Sequence, residues 1–466
     1  MNETGDAGQL PARPQGGRAA DGALSAEALR LHEYYHGKIE TVARCPVRPG
    51  QGDWAVWYTP GVAAASRAVQ QDPQAAYQLT WKGNSVAIVS DGTRVLGLGN
   101  IGPHAALPVM EGKALLFKYL GGIDAVPICL KTEDPDEFVR TVQLLEPSFG
   151  GINLEDIAQP KCFRILDTLR RTMPIPVWHD DQQGTATVIL AGLLGALQVV
   201  GKRLDQVRIA LIGVGAAGTA TARLLLAAGA DAERMILCDV HGILHRGRTD
   251  LRAEYPVQWE LATRTNAEQR QGGIAEAMRG ADVVVAASKQ GPGTILPEWV
   301  RQMADDPIVF ACANPIPEIW PDEARNAGAA VAGTARSDFP NQVNNSLVFP
   351  SIFRGALDVR ARAITDGMCI AAARELNAYA CERLGLRPDR ILPTMDDTEV
   401  FPRVAAAVGV QAVQEGVAAV PATAALRRQL EERARAIMTR ARKQVDVLLQ
   451  TGVIPAWPSA PAERQT

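Results

Sequence analysis

Apolar and polar positions along this chain follow two alternating rhythms. Short apolar runs bounded by glycine, proline or acidic residues are separated by longer stretches with helical spacing, as strands and helices alternate in an α/β fold. Residues 86–89 read as a strand, Asp91-Gly92 as a turn, and 95–98 as the returning strand of a hairpin. A loop over 99–108, a helix over 110–120, a strand over 125–130 and a helix over 134–146 follow. Ile175, Val177 and Trp178 form a further strand that runs through a polar turn into the apolar helix 186–200. A second series of strands is expected at 207–212, 235–239, 283–287, 308–313 and 330–332. After about Ser346 the pattern turns helical, through 364–384 and the charged stretch 424–449. Nearer the start, Ser25 caps a helix, 41–53 is loop, and 57–62 is extended, with Pro60 opening a helix over 63–71.

Composition changes this picture little. With 466 residues the chain has room for two or three domains, and 47% hydrophobic with 21% charged residues is the balance of a soluble globular protein. A net charge of −3 gives no reason to expect nucleic acid or an anionic membrane as partner. The apolar run 186–200 is too short to span a bilayer, and residues 1–22 lack the apolar core of a signal peptide. Seven cysteines are scattered without metal-site spacing, which points to buried free thiols in a reducing cytoplasm.

Chemistry gathers at strand ends. Gly213-Val214-Gly215-Ala216-Ala217-Gly218 follows an apolar strand and opens a helix, the arrangement in which backbone amides meet a dinucleotide pyrophosphate. Asp239, ending the next strand, is placed to take ribose hydroxyls and leans the reading toward NAD; His241, Arg246 or Arg248 facing the ribose would reverse it toward NADP. Two acidic pairs, Glu155-Asp156 and Asp180-Asp181, each sit beside a strand end. Neighbouring carboxylates repel unless a cation or proton separates them, and four of them suit Mg²⁺ or Mn²⁺. The competing reading makes Glu155-Asp156 a cap for the helix after Ile157. Lys113, entering an apolar helix, is either a general base with a depressed pKa or a solvated helix-end lysine. Tyr58 is a proton donor or a packing residue, and His179 a ligand or a packed residue beside Trp178. Asn314 ends another strand, and Asn341, Gln342, Asn344 and Asn345 collect amides in a loop, either to orient a carboxylate or simply to turn the chain.

On these residues the sequence resembles the malic enzymes, in their short bacterial form. The resemblance is carried by Tyr58-Thr-Pro-Gly-Val-Ala63, Asp91-Gly-Thr-Arg94-Val-Leu-Gly-Leu-Gly99, Pro108-Val-Met-Glu-Gly-Lys113, Phe149-Gly-Gly-Ile-Asn-Leu-Glu155-Asp156, His179-Asp-Asp181-Gln-Gln-Gly-Thr185 and Arg336-Ser-Asp-Phe-Pro-Asn-Gln-Val-Asn344-Asn345, in family order. It implies oxidative decarboxylation of (S)-malate to pyruvate and CO₂ with NAD or NADP reduced. It implies metal ligands at Glu155, Asp156 and Asp181, a base at Lys113, a proton donor at Tyr58 and a relay at Asp180. Arg94, Asn314 and Asn344 would hold malate, and Ser288 would lie beside the nicotinamide. The implied fold is an N-terminal α/β substrate domain (23–178), a Rossmann-type NAD(P)-binding domain (179–405) and a helical extension (406–455), between tails at 1–22 and 456–466. A cytoplasmic homodimer or larger homo-oligomer is expected. Asn100 and the stretch Ser288-Lys289-Gln290-Gly291 depart from the family pattern. Two other readings remain: malolactic conversion of malate to lactate, and a catalytically silent NAD-binding regulatory protein.

Overall fold

The structure, a computed structural model, describes residues 21–458, so the tails expected at 1–22 and 456–466 lie largely outside the described residues. Two sheets organise the chain. The first holds β1 (Ser85–Ser90), β2 (Asp124–Cys129), β3 (Gly151–Leu154) and β4 (Val177–His179), all parallel, in the order β2-β1-β3-β4. The second holds β5 (Ile209–Ile212), β6 (Met235–Asp239), β7 (Gly242–Ile243), β8 (Val283–Ala286), β9 (Ile308–Ala311) and β10 (Val331–Thr334), in the order β10-β9-β8-β5-β6-β7. Only β7 runs antiparallel, against β6. Helices cover both faces, so β1, β3, β4, β5, β8, β9 and β10 are buried along their whole length. That double burial is why these strands read as continuous apolar runs instead of alternating ones.

Parallel strands deliver their carboxyl ends to one edge, where the chain must turn and where ligands bind in open α/β sheets. In the first sheet Leu154 pairs with His179, so the residues that follow, Glu155-Asp156 and Asp180-Asp181, emerge side by side. The Asp180–Gly184 stretch is a wide π turn that leads straight into the buried helix Thr185–Val199. This helix packs against Ala216–Ala227, which follows the glycine turn after β5, and against Asp366–Tyr379. The chain ends in helices Val400–Gln414 and Leu426–Gln450, the latter returning to the first sheet's helix Gly102–Gly121.

Several expectations are corrected. Residues 95–98 form no strand; one isolated bridge joins Val95 to Gly99. The hairpin fails because both edges of β1 are occupied by parallel neighbours, β2 and β3. The loop after β1 turns instead to β3's end, where the Arg94 N–H donates to the Asp156 carbonyl at 3.0 Å. The expected loop at 99–108 is mostly helix: Gly102–Gly121 continues through Pro108, its lost hydrogen bond outweighed by a face burying Met110, Ala114 and Phe117. Ser25 lies inside the helix Asp21–Tyr35 and does not cap it. The 57–62 piece is not extended throughout, since Asp53–Trp57 is a helical turn entered at Gly52 with φ 77°.

Candidate active site

Glu155, Asp156 and Asp181 present carboxylate oxygens within 4.8 Å of one another. The backbone sets this spacing. Asp156 stands at φ 56°, a left-handed conformation that few non-glycine residues adopt. Its N–H donates to Asp181 Oδ2 at 2.8 Å, tying the two strand ends together. The Glu155-Asp156 pair does not cap a helix, because the next one begins at Lys161. Around the cluster Asn153 Nδ2 donates to Glu155 Oε2 at 2.8 Å, and Ala158 N–H donates to Thr93 Oγ1 at 2.9 Å. Asp91, buried beneath that loop, pairs with Lys161 at 2.8 Å.

Lys113 enters from the Gly102–Gly121 helix. Its ammonium lies 2.9 Å from Glu155 Oε1 and 2.5 Å from Asp180 Oδ2, and 4.4 Å from the centre of the Phe349 ring. The expectation of a solvated helix-end lysine is therefore corrected, since the side chain is 9% exposed. The expectation of a depressed pKa is corrected too. Burial alone would lower it, but the Asp180 and Glu155 carboxylates outweigh burial and hold the ammonium above its ordinary value. Asp180 is fixed from its other side by the Trp178 indole N–H, 3.1 Å from Oδ1. A Cβ on Gly184 would fall 1.9 Å from that same oxygen, so only glycine fits there.

The donor set fits a hard divalent cation. Three carboxylates converge, and Asp156 Oδ2 is buried without a hydrogen-bond partner among the described residues. Burial, then the charge of Asp181, pushes Asp156 up to about 8. A carboxyl whose folded value is raised favours its neutral form, so without a cation the fold loses stability as pH rises from the ordinary carboxylate range through about 8. Cation binding must displace that proton. Within this range, below about pH 8, Mn²⁺ affinity is expected to rise about tenfold per pH unit, with roughly one proton released. Calorimetric titration in buffers of different ionisation enthalpy measures both, and pH-independent affinity would mean that Asp156 is not a ligand. His179 is fully buried with its pKa lowered to about 4 by burial, and its Nδ1 is 3.6 Å from Asp181 Oδ2.

In the second sheet, Gly213 has φ 95°, and a Cβ there would lie 2.4 Å from the Ala287 carbonyl and 3.0 Å from the Ser288 Cα. A Cβ on Gly218 would fall 1.9 Å from the Gly213 carbonyl. Val214 is buried, and Ala216 and Ala217 open the helix whose N-terminus faces this loop. Ser288 N–H and Oγ both contact Glu318 Oε1, at 2.7 and 3.0 Å. Asp239 is not a free carboxylate: Arg248 clamps it through two bonds of 3.1 and 2.8 Å. Arg94, 2.8 Å from the Leu96 carbonyl, is exposed; burial raises the carboxyls of Asp156 and Asp181, and the charge of Arg94 offsets a small part of that rise. Asn100 bonds Glu133 instead of Arg94, so the departure there does not touch the arginine. Asn344 caps the turn Asn345–Leu347, and the Asn345 Cβ lies 3.3 Å from the position of a Cβ on Gly184. Asn314 is exposed, its carbonyl accepting from Gln290 Nε2 at 2.8 Å, and that amide also lies against Gly97 in the loop after Arg94. Tyr58 is not brought to the cluster within one chain. It is 71% exposed, and its hydroxyl has no partner among the described residues.

Trp178 and Asn153 also support the site, through their bonds to Asp180 and Glu155. A period-two count from Glu155 back along β3 would have found Asn153 on the same face. No local signal marks an indole two residues before the aspartate it holds.

The family model for the malic enzyme N-terminal domain matches residues 36–170, and that for the malic enzyme NAD binding domain matches 182–413. A bifunctional malic/malolactic enzyme of Bacillus subtilis is 48% identical over 397 residues, 85% of this chain and 95% of that protein. An NAD-dependent malic enzyme of Geobacillus stearothermophilus is 50% identical over 82% of this chain and 78% of its own length. The crystal structure of the Entamoeba histolytica malic enzyme superposes with a TM-score of 0.90 at 46% identity, covering 94% of this chain and 91% of that one.

Proposed function

Since the chain belongs to the malic enzyme family, we propose a division of labour among its residues in the oxidative decarboxylation of (S)-malate to pyruvate and CO₂, with NAD(P)⁺ reduced. The observation that carries it is Lys113 held between Glu155 and Asp180. Lys113 takes the proton of the C2 hydroxyl as hydride leaves C2 for the nicotinamide. To do so it must first lose its own proton, and Asp180, 2.5 Å away, is the group positioned to receive it. A cation held by Glu155 would offset that carboxylate's charge, and Lys113 would then titrate lower. The C4 carboxylate then departs as CO₂, its electron pair entering the C2 carbonyl to leave the enolate of pyruvate. Mg²⁺ or Mn²⁺ held by Glu155, Asp156 and Asp181 would supply Lewis-acid stabilisation of that negative charge. Tyr58 protonates C3, while Arg94, Asn314 and Asn344 hold the carboxylates and hydroxyl of malate.

Tyr58 can act only if something brings it to the cluster. Trp54, Val56 and Tyr58 are 67%, 65% and 71% exposed, an apolar surface of the kind that marks protein contacts. This supports a homodimer or larger homo-oligomer. All seven cysteines are free, which supports a reducing, cytoplasmic setting, and no helix among the described residues is long and apolar enough to cross a membrane.

Initial rates with malate and Mn²⁺, following reduced nucleotide, pyruvate and lactate together, test the reaction. Pyruvate matched mole for mole by reduced nucleotide is the expected result. The likeness to a bifunctional malic/malolactic enzyme makes lactate the specific alternative, recognised by product without net NADH. Nucleotide choice turns on Asp239, whose charge Arg248 offsets. Arg248→Ala frees a carboxylate that repels a 2′-phosphate, so preference for NAD⁺ over NADP⁺ in kcat/KM is expected to rise about tenfold. An unchanged ratio would place the clamp away from the ribose.

A further inference from the structure

Sharing no lining residue with the carboxylate cluster, helices Asp366–Tyr379 and Val400–Gln414 and the start of Leu426–Gln450 border an open groove of about 500 Å³. Ile370, Ala378, Ala407 and Val410 give it an apolar lining, and the exposed Arg374 and Arg427 also line it. Three acids nearby, Glu375, Glu382 and Glu415, are already engaged. Glu375, 7% exposed, gives one oxygen to Arg403 and the other to Arg427, each at 2.7 Å. Arg403 is shared with Glu382 at 2.9 Å. Glu415, at the Gly367 end, is bound by Thr365 and by Gln411. Arg374 alone of this group makes no hydrogen bond or ion pair among the described residues. Arg427 is half exposed and bonds Glu375 through one nitrogen only, which leaves donors facing outward.

Apolar lining beside the guanidinium donors of Arg374 and Arg427, with Glu375 and Glu415 committed elsewhere, favours an anion that carries an apolar body. A cavity of this size lies within the range that takes small organic ligands, and a guanidinium fork matches a carboxylate better than a spherical ion. We infer that this groove is a second binding site, for a small organic carboxylate with an apolar tail. Its location gives occupancy a route to the reaction. The groove uses one face of Asp366–Tyr379, and the opposite face, with Cys369, Ala372, Ala373 and Leu376, is buried toward Thr185–Val199. That helix begins where the Asp180–Gly184 turn ends. One helix thus separates the groove from that turn.

Hexanoate is the probe, titrated calorimetrically into the full chain without malate, metal or nucleotide. Saturable binding is expected, weakened about tenfold or more by Arg374→Gln, as loss of a charge-assisted pair implies. Hexan-1-ol, of like shape without charge, should not bind, and Arg94→Gln should leave hexanoate affinity unchanged. The inference is overturned by equal binding to wild type and Arg374→Gln, by loss of binding in Arg94→Gln, or by inorganic phosphate binding as tightly as hexanoate. A change of association state in Arg374→Gln with no hexanoate binding to wild type would likewise overturn it, assigning the groove to a second copy. Since the titration is read without turnover, its failure leaves the malate reaction untouched.

Discussion

Lys113→Ala is expected to lower kcat for malate oxidation by about 10²–10⁴-fold, the usual worth of a positioned acid–base group, while the dinucleotide Kd stays within about twofold. The two effects separate because Lys113 belongs to the first sheet and the Gly213–Gly218 loop to the second. Stability will also fall. Removing the ammonium leaves Glu155 and Asp180 buried and close to each other's charge without a counterion, one of the costliest single changes a core can suffer. Mn²⁺ should recover part of that loss through Glu155, so the deficit in Tm should shrink on adding the metal. Lys113→Arg refines the test, since a guanidinium keeps the charge but does not give up its proton near neutrality. It should retain most of the stability and little of the turnover. Equal loss of nucleotide binding in Lys113→Ala would instead show a disrupted fold.

What was legible in the sequence depended on range. Strands buried on both faces announce themselves as apolar runs, so β5, β6, β8 and β9 were located within a residue or two from the pattern alone. The dinucleotide loop was readable because its glycines answer to local geometry, as the positive φ of Gly213 and the tight fit of Gly218 bear out. The partner of β1 was not readable. A turn such as Asp91-Gly92 is compatible with a hairpin, and only the arrival of β2 and β3 from far along the chain excludes it. The same limit applies at Lys113. Its helix was expected, but its burial depends on Glu155 and Asp180, forty-two and sixty-seven residues downstream, which reach it only after β3 and β4 pair. Tyr58 shows the reverse case, a residue quoted from a motif that one chain leaves at its surface.

Asp181→Asn is expected to weaken Mn²⁺ binding by at least about 100-fold and to take turnover below detection, because a metal loses both a charged ligand and a neutralising charge. The substitution is close to isosteric. An amide oxygen can still accept the Asp156 N–H, so the left-handed turn at Asp156 should survive. The consequence for the metal-free protein has the opposite sign. Burial raises the carboxyls of Glu155, Asp156 and Asp180, and the charge of Asp181 raises each of them further. Removing that charge relieves the repulsion, so Asp181→Asn without metal should melt above the wild type at pH 8, where the repulsion is fully felt, and the gain should fade toward pH 4 as the carboxyls protonate. With saturating Mn²⁺ the order reverses, since the wild type gains the binding free energy and the variant does not. A cluster kept for its chemistry should show this crossing, a stability cost in the empty site that binding repays. Parallel melting curves, with and without Mn²⁺, or an unchanged metal titration, would remove Asp181 from the ligand set.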